Sequence, residues 1–168
     1  MIVNGIDRDF VVHDENNVKG FFGEYRFLSN FHECPVYFEG MLYPSSENAY
    51  QAAKCLTIPM REAFVDISPK ESKKLGRKLD QAGQTRKNWS SIKFDVMRVI
   101  LAEKFHRNLN LRRLLVETEK KYLEETNYWN DTYWGVCNEV GTNNLGILLM
   151  ATRNRYSVRP AGEPITLF

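Results

Sequence analysis

The hydropathy pattern changes period at Pro44-Ser45-Ser46, and this change fixes the kinds of element available on either side of it. Residues 1–43 carry short runs rich in Val, Phe and Tyr, cut by Gly5, Gly20, Gly23 and Gly40. Such runs read as brief strands. Val36-Tyr37-Phe38 and Met41-Leu42-Tyr43 flank Glu39-Gly40, which predicts a two-residue hairpin. From Ser45 onward the apolar residues recur at helical spacing. The expected class is α+β, a predominantly α-helical single domain with short N-terminal β-strands.

Several helix boundaries are written in the sequence. Ser45 or Ser46 is placed to cap a helix running to about Leu56. Ser68-Pro69-Lys70-Glu71 predicts a capping box with Pro at the first helical position, and that helix should end near Gly83. Met97, Ile100, Leu101 and Phe105 predict a third helix over 90–107. A fourth begins with Leu111, Leu114 and Leu115, and a last one follows the polar cluster Thr142-Asn143-Asn144. Between these two, residues 127–141 read as a loop dense in Trp, Tyr, Asn and Asp.

The chain has 168 residues, which predicts one domain over 1–168 at about 150 residues per domain. No linker rich in Pro, Gly or Ser separates two cores. With 23 Lys and Arg against 21 Asp and Glu the net charge is +2, which excludes a polycationic sleeve for duplex DNA. Cys34, Cys55 and Cys137 are widely spaced and odd in number, which argues against a disulfide framework or structural zinc. His13, His32 and His106 share no metal-ligand spacing, so no metal is expected. The N-terminus lacks the apolar core of a signal peptide, and no run approaches the ~18 residues of a membrane span. A cytoplasmic protein without membrane association is the expectation; oligomeric state is not legible.

Chemistry concentrates in two places. Glu47, Gln51 and Lys54 stand at i, i+4 and i+7, hence on one helix face. A solvated salt-bridge stripe is one reading. If the stripe faces inward, it brings a carboxylate, an amide and an amine into one pocket, which suits acid–base or amine-nucleophile chemistry. The second place is the loop holding Asp131 and Trp134. With Trp129 and the more distant Trp89, its indoles can stack on a nucleobase, although tryptophans also serve as core and Asp131 as a turn former. The start of the last helix offers either an anion site or a plain cap. Lys70, Lys73, Lys74, Arg77 and Lys78 form either a solvated face or a guide for phosphates. No P-loop and no dinucleotide fingerprint occurs, so no nucleotide cofactor is expected.

Taken in order, these residues form a recognisable string. Leu28-Ser29-Asn30-Phe31 is followed by Tyr43-Pro44-Ser45-Ser46-Glu47, Tyr50-Gln51-Ala52 and Lys54. Downstream come Gly76-Arg77, Trp89 with Lys93, Lys104-Phe105, Leu114-Leu115, Asp131 with Trp134-Gly135, and Asn144-Leu145-Gly146 inside 141–153. The string resembles the NADAR family, which includes the YbiA-like N-glycosidases, over about residues 20–156. No one motif is specific; their order and spacing together are.

The resemblance implies a YbiA-like, mostly helical fold and hydrolysis of N-glycosidic bonds in ribosylated bases. It implies Lys54, Glu47 and Asp131 as catalytic residues, with Lys54 the candidate for a Schiff base. Trp89 and Trp134 are the indoles it implies at the substrate; Gln51, Ser29, Asn30, Phe31 and Asn144 are further expected substrate contacts. The first expectation for the substrate is ADP-ribose on guanine in nucleic acid. Phosphoribosylaminopyrimidine intermediates of riboflavin synthesis are the alternative, and a non-catalytic ADP-ribose or nucleotide-binding module is a third. One departure stands out: the family commonly shows a histidine after the glutamate, where this chain has Asn48.

Overall fold

The N-terminal runs form short paired strands. The computed structural model describes residues 2–3, 6–7 and 11–157. Strand β1 (Ile2–Val3) pairs antiparallel with β2 (Ile6–Asp7), and β3 (Val12–His13) with β4 (Asn17–Lys19). Asp14 makes the β3–β4 turn by accepting hydrogen bonds at Oδ1 from the backbone N–H groups of Asn16 and Asn17. A 3-10 helix, Gly23–Leu28, follows.

Next comes the predicted hairpin, β5 (Glu33–Phe38) with β6 (Met41–Ser45). Glu39 (φ 45°) and Gly40 (φ 87°) both adopt the left-handed conformation that a two-residue hairpin turn requires. Among the described residues six helices complete the order: α1 (Ser46–Ala53), α2 (Ile58–Glu62), α3 (Pro69–Gln81), α4 (Trp89–Arg107), α5 (Leu109–Glu117) and α6 (Asn144–Ser157). Between α5 and α6 lie β7 (Tyr122–Glu124), β8 (Thr126–Asn127) and β9 (Val136–Cys137). The class is α+β, as read.

Contacts group the chain into two compact units, one up to Ser29 and again from Asn110, the other Asn30–Leu109. In the first unit β4 pairs parallel with β7, an association between residues more than 100 positions apart (Val18 against Leu123). Helix α6 packs on β7, and Val18, Leu123, Leu145, Leu148 and Leu149 are buried. Arg153 is buried with them, and its Nη1 donates to Thr118 Oγ1 (2.9 Å) and the Lys121 carbonyl (2.8 Å). Burial pushes this guanidinium below its ordinary value.

In the second unit β5 alternates strictly, with Cys34, Val36 and Phe38 buried and Glu33, Pro35 and Tyr37 exposed. Its buried face meets α4 through a core that includes Met97, Ile100, Leu101 and Phe105. Helix α1 packs against the hairpin, α3 and α4, and all eight of its residues are buried. Ala49, Ala52 and Ala53 are small enough for neighbours to approach closely, while Glu47, Asn48 and the Gln51 Nε2 group are buried with hydrogen-bond partners inside the protein.

The capping signals act as predicted. Ser45 caps α1, its Oγ accepting from Asn48 N. Ser68 and Glu71 close the capping box of α3 reciprocally, and Gly83 (φ 65°) stands just past that helix. Hydrogen bonds from Ser68 hold the Glu71 carboxyl below its usual value. Among the described residues, no helix is long and apolar enough to cross a membrane.

Candidate active site

Helix α1 begins where β6 ends, so the hairpin register sets where Glu47 starts. The Glu47 N–H donates to the Asn30 carbonyl (3.0 Å), which ties the first turn of α1 to the residues entering β5. Glu47 is 7% exposed and stands where the helix dipole favours negative charge. One turn on, Gln51 Nε2 donates to Glu47 Oε1 (2.8 Å), and Gln51 is 6% exposed. Lys54, 9% exposed, caps the C-terminus of α1. The stripe is therefore buried, and the solvated salt-bridge reading of it does not hold.

Lys54 has a partner that spacing did not reveal. Its Nζ lies 2.8 Å from Asp80 Oδ2 near the end of α3, 26 residues away. The same nitrogen is 5.7 Å from the Tyr50 ring centroid and 6.0 Å from that of Trp89, so two aromatic faces and one carboxylate surround it. Tyr50 and Trp89 pack together with centroids 5.0 Å apart and planes tilted by 60°. Trp89 thus borders the amine directly.

Two buried acceptors near Glu47 have no hydrogen-bond partner within the described structure, Gln51 Oε1 and Asn30 Oδ1. Buried oxygens of this kind are costly to leave unpaired, which makes Asn30 Oδ1 a candidate contact for a substrate hydroxyl, whereas Gln51 Oε1 is turned against Gly76 of α3. Phe31 lies under the ammonium of Lys73, 5.4 Å from Nζ to the ring centroid. The other cations of α3, Lys70, Lys74, Arg77 and Lys78, are exposed.

Asn48, the departure from the family pattern, has a structural role. Its Nδ2 donates to the Phe64 (2.9 Å) and Ile67 (2.8 Å) carbonyls, and its Oδ1 accepts from Ser45 Oγ (2.5 Å). The side chain anchors α1 to the α2–α3 connection. Burial pushes the nearby Cys55 thiol up, the raising outweighing Arg61, so this cysteine is poorly suited to act as a nucleophile.

The remaining candidates belong to the other unit. The Asn127 amide organises the tryptophan-rich loop, donating to the Asp131 carbonyl (2.8 Å) and accepting from the N–H groups of Trp129 and Asp131. Asp131 Oδ1 accepts from the N–H groups of Tyr133 (3.2 Å) and Trp134 (2.8 Å), so this oxygen shapes the turn. Trp134 meets Tyr133 edge to face at 4.9 Å. The Asn144 N–H donates to the Tyr133 carbonyl, as does its Nδ2, and the Leu145 N–H donates to that of Trp134. Carbonyls of the loop thus occupy the amides at the start of α6, which supports the plain cap over the anion site there. Ser29 Oγ accepts from Arg26 Nη1 at 3.4 Å.

Among the described residues, no group of three or more His, Cys, Asp or Glu side chains could hold a metal ion. An open cavity of about 450 Å³ lined by Pro35, Leu42, His106, Arg107 and Asn108 includes none of the candidate residues.

Comparison with known proteins bears on this arrangement. The NADAR domain model matches residues 13–157. The chain is 38% identical over 138 residues to N-glycosidase YbiA of Escherichia coli K12, covering 80% of this chain and 84% of that protein. The solution NMR structure of E. coli YbiA superposes with a TM-score of 0.74 at 35% identity, covering 90% of each chain. A riboflavin biosynthesis protein of Vibrio vulnificus, VVA0006, is 34% identical over 129 residues, which is 76% of this chain and 34% of that longer protein.

Proposed function

The chain belongs to the NADAR family, and on that premise we propose that it is an N-glycosidase hydrolysing the bond between ribose C1 and the nitrogen of a base. The observation that carries this reading is the buried face of α1. Glu47 is held there by Gln51, and the Lys54 amine is held by Asp80 between two aromatic rings. The family match runs through both units, which supports reading them as one domain.

In the proposed reaction the C1–O4 bond of the ribose breaks as the base nitrogen forms a double bond to C1 and O4 takes a proton from water, and Lys54 Nζ, as the neutral amine, adds to C1. The C1–N bond to the base then breaks, and the base nitrogen leaves with a proton supplied by Glu47. Water adds to the resulting imine, releasing free sugar and restoring the lysine. For this the Lys54 ammonium must first lose a proton, and Asp80 is the carboxylate at hydrogen-bond distance, 40% exposed and able to pass the proton to water. Trp89 is the wall on which the base stacks. Asp131 and Trp134 enter the proposal from the family pattern alone.

A specific observation favours a second route. Asp80 Oδ2 and the Tyr50 and Trp89 rings all face Lys54 Nζ, the set of contacts an ammonium makes. In that form Lys54 steadies charge while Glu47 activates water against an oxocarbenium-like centre. Borohydride added during turnover separates the two routes: a reduced sugar adduct on Lys54 supports the imine, and its absence with turnover intact removes it.

For the substrate we propose ADP-ribosyl-guanine in nucleic acid. Asp80 lies on the helix whose exposed residues include Lys70, Lys74, Arg77 and Lys78, which suits a polyanion beside the amine. The similarity to a riboflavin biosynthesis protein favours the alternative, a phosphoribosylaminopyrimidine. Incubation with both compounds, reading released base, tests the proposal; release from neither contradicts it.

A further inference from the structure

Residues 54–55, at the end of α1, lie among more charge than Lys54 and Asp80 account for. Cys55 forms an isolated antiparallel bridge with Thr85, and the Arg86 N–H donates to the Lys54 carbonyl (2.8 Å). Arg61 Nε donates to the Cys55 carbonyl (3.2 Å). Both guanidinium groups then converge on one carboxylate in the hairpin turn. Arg61 Nη1 is hydrogen-bonded to Glu39 Oε2, and Arg86 Nη2 lies 3.6 Å from the same oxygen.

The cluster is unbalanced in two respects. Its cations are Lys54, Arg61 and Arg86, and its anions are Glu39 and Asp80. The cations are the more buried members, with side chains 11%, 14% and 27% exposed, whereas Glu39 and Asp80 are 41% and 40% exposed. Donors are also left over, because each guanidinium carries five N–H groups and Arg86 Nε is buried without a hydrogen-bond partner. Glu39 meets both arginines through a single oxygen from a solvent-facing turn. A phosphate presents three or four acceptor oxygens to the same fork of donors and matches guanidinium geometry better than one carboxylate oxygen does.

We propose that Arg61 and Arg86 form a phosphate subsite beside Lys54, and that Glu39 is the carboxylate with which an incoming phosphate exchanges. The inference rests on the N-glycosidase reading for its substrate, a ribose bearing nitrogen at C1 and phosphate at C5. It adds the group that grips the phosphate while Lys54 faces the anomeric carbon. The shared ligand chemistry is a ribose phosphate, either a monoester or the diphosphate of ADP-ribose.

Inorganic phosphate, ribose 5-phosphate and ADP-ribose are titrated into the full chain while the Nε–Hε resonances of Arg61 and Arg86 are followed by NMR. Saturable shifts of both are expected, with tighter binding of ribose 5-phosphate marking a monoester site and of ADP-ribose a diphosphate site. Glu39→Gln, which removes the competing carboxylate, is expected to tighten binding several-fold. Arg86→Gln is expected to weaken it roughly tenfold or more, as loss of a charge-assisted contact does. Arg61→Gln also deletes the bond to the Cys55 carbonyl, so the other two variants carry the test. Dissociation constants unchanged in both variants would overturn the subsite.

A second readout separates this inference from the enzymatic reading. The ratio of kcat/KM for 5′-phosphorylated over dephosphorylated substrate should fall in Arg86→Gln. Turnover with that ratio unmoved overturns the subsite and leaves the glycosidase. Arginine-dependent phosphate binding without base release from any substrate supports the subsite and removes the glycosidase.

Discussion

Gln51 reaches Glu47 because residue 76 has no side chain: a Cβ built on Gly76 would lie 2.0 Å from Gln51 Oε1 and 2.7 Å from its Cδ. Helix α3 packs on α1 there, and the room a glycine leaves is filled by the amide that holds the proposed acid. Gly76→Ala gains about 1 kcal/mol of helix propensity but pushes the buried Gln51 side chain aside, an overpacking of about 1–3 kcal/mol, for a net loss of up to about 2 kcal/mol. It also displaces Gln51 from Glu47. A fall in kcat together with a lower Tm is the expected result, read by base release and thermal unfolding.

Asn48 makes its contribution through folding. Asn48→Ala leaves the buried Phe64 carbonyl and the half-buried Ile67 carbonyl without their donor and should cost about 2–6 kcal/mol in urea unfolding, since each orphaned group costs about 1–3 kcal/mol. Asn48→His, the residue common in the family, should recover part of this loss by donating to one of the two carbonyls.

Tyr43 gives the fold an alkaline limit. Burial pushes its phenol up to about 12, with Arg61 pulling the other way. In the unfolded chain it ionises near ~10. The stability contributed by keeping this proton is full below pH ~10 and is lost as pH rises towards about 12, because over that window the unfolded state releases a proton that the folded state retains. Urea midpoints of wild type and Tyr43→Phe measured across this range should show a steeper decline for wild type.

Trp89 is predicted to act on binding. Stacking of a base is worth about 1–3 kcal/mol, so Trp89→Ala should raise KM by roughly five- to 150-fold, and Trp89→Phe, which keeps an aromatic face, by less. Equal KM values for wild type and Trp89→Ala would remove the stacking role.

Local signals were legible in the sequence because local physics sets them. The Glu39-Gly40 turn, the Ser68–Glu71 capping box and the α4 period each involve residues within one turn of one another. What could not be read depends on distance along the chain. Helix α2 has only five residues and no side-chain cap, too short for a period to show. The parallel pairing of β4 with β7 joins segments that no pattern links. Within the proposed site, Glu47, Gln51 and Lys54 follow from helical spacing, and Trp89 from the family string. Asp80, Glu39, Arg61 and Arg86 do not, because each reads as an ordinary surface charge until packing brings it to the end of α1. The burial of α1 was equally hidden, since a helix of mostly small and polar residues that is buried on every side has no exposed face for an amphipathic pattern to mark.

The most direct measurement is single-turnover release of free base from an ADP-ribosyl-guanosine oligonucleotide and from a phosphoribosylaminopyrimidine. Wild type, Lys54→Ala and Glu47→Gln are compared, each variant checked for a cooperative unfolding transition. Release by wild type from at least one substrate is predicted, with a loss of ~100-fold or more in each variant, the scale on which acid–base and nucleophilic groups act. Folded Lys54→Ala and Glu47→Gln proteins that release base as fast as wild type would contradict the account, as would a wild-type protein that releases none.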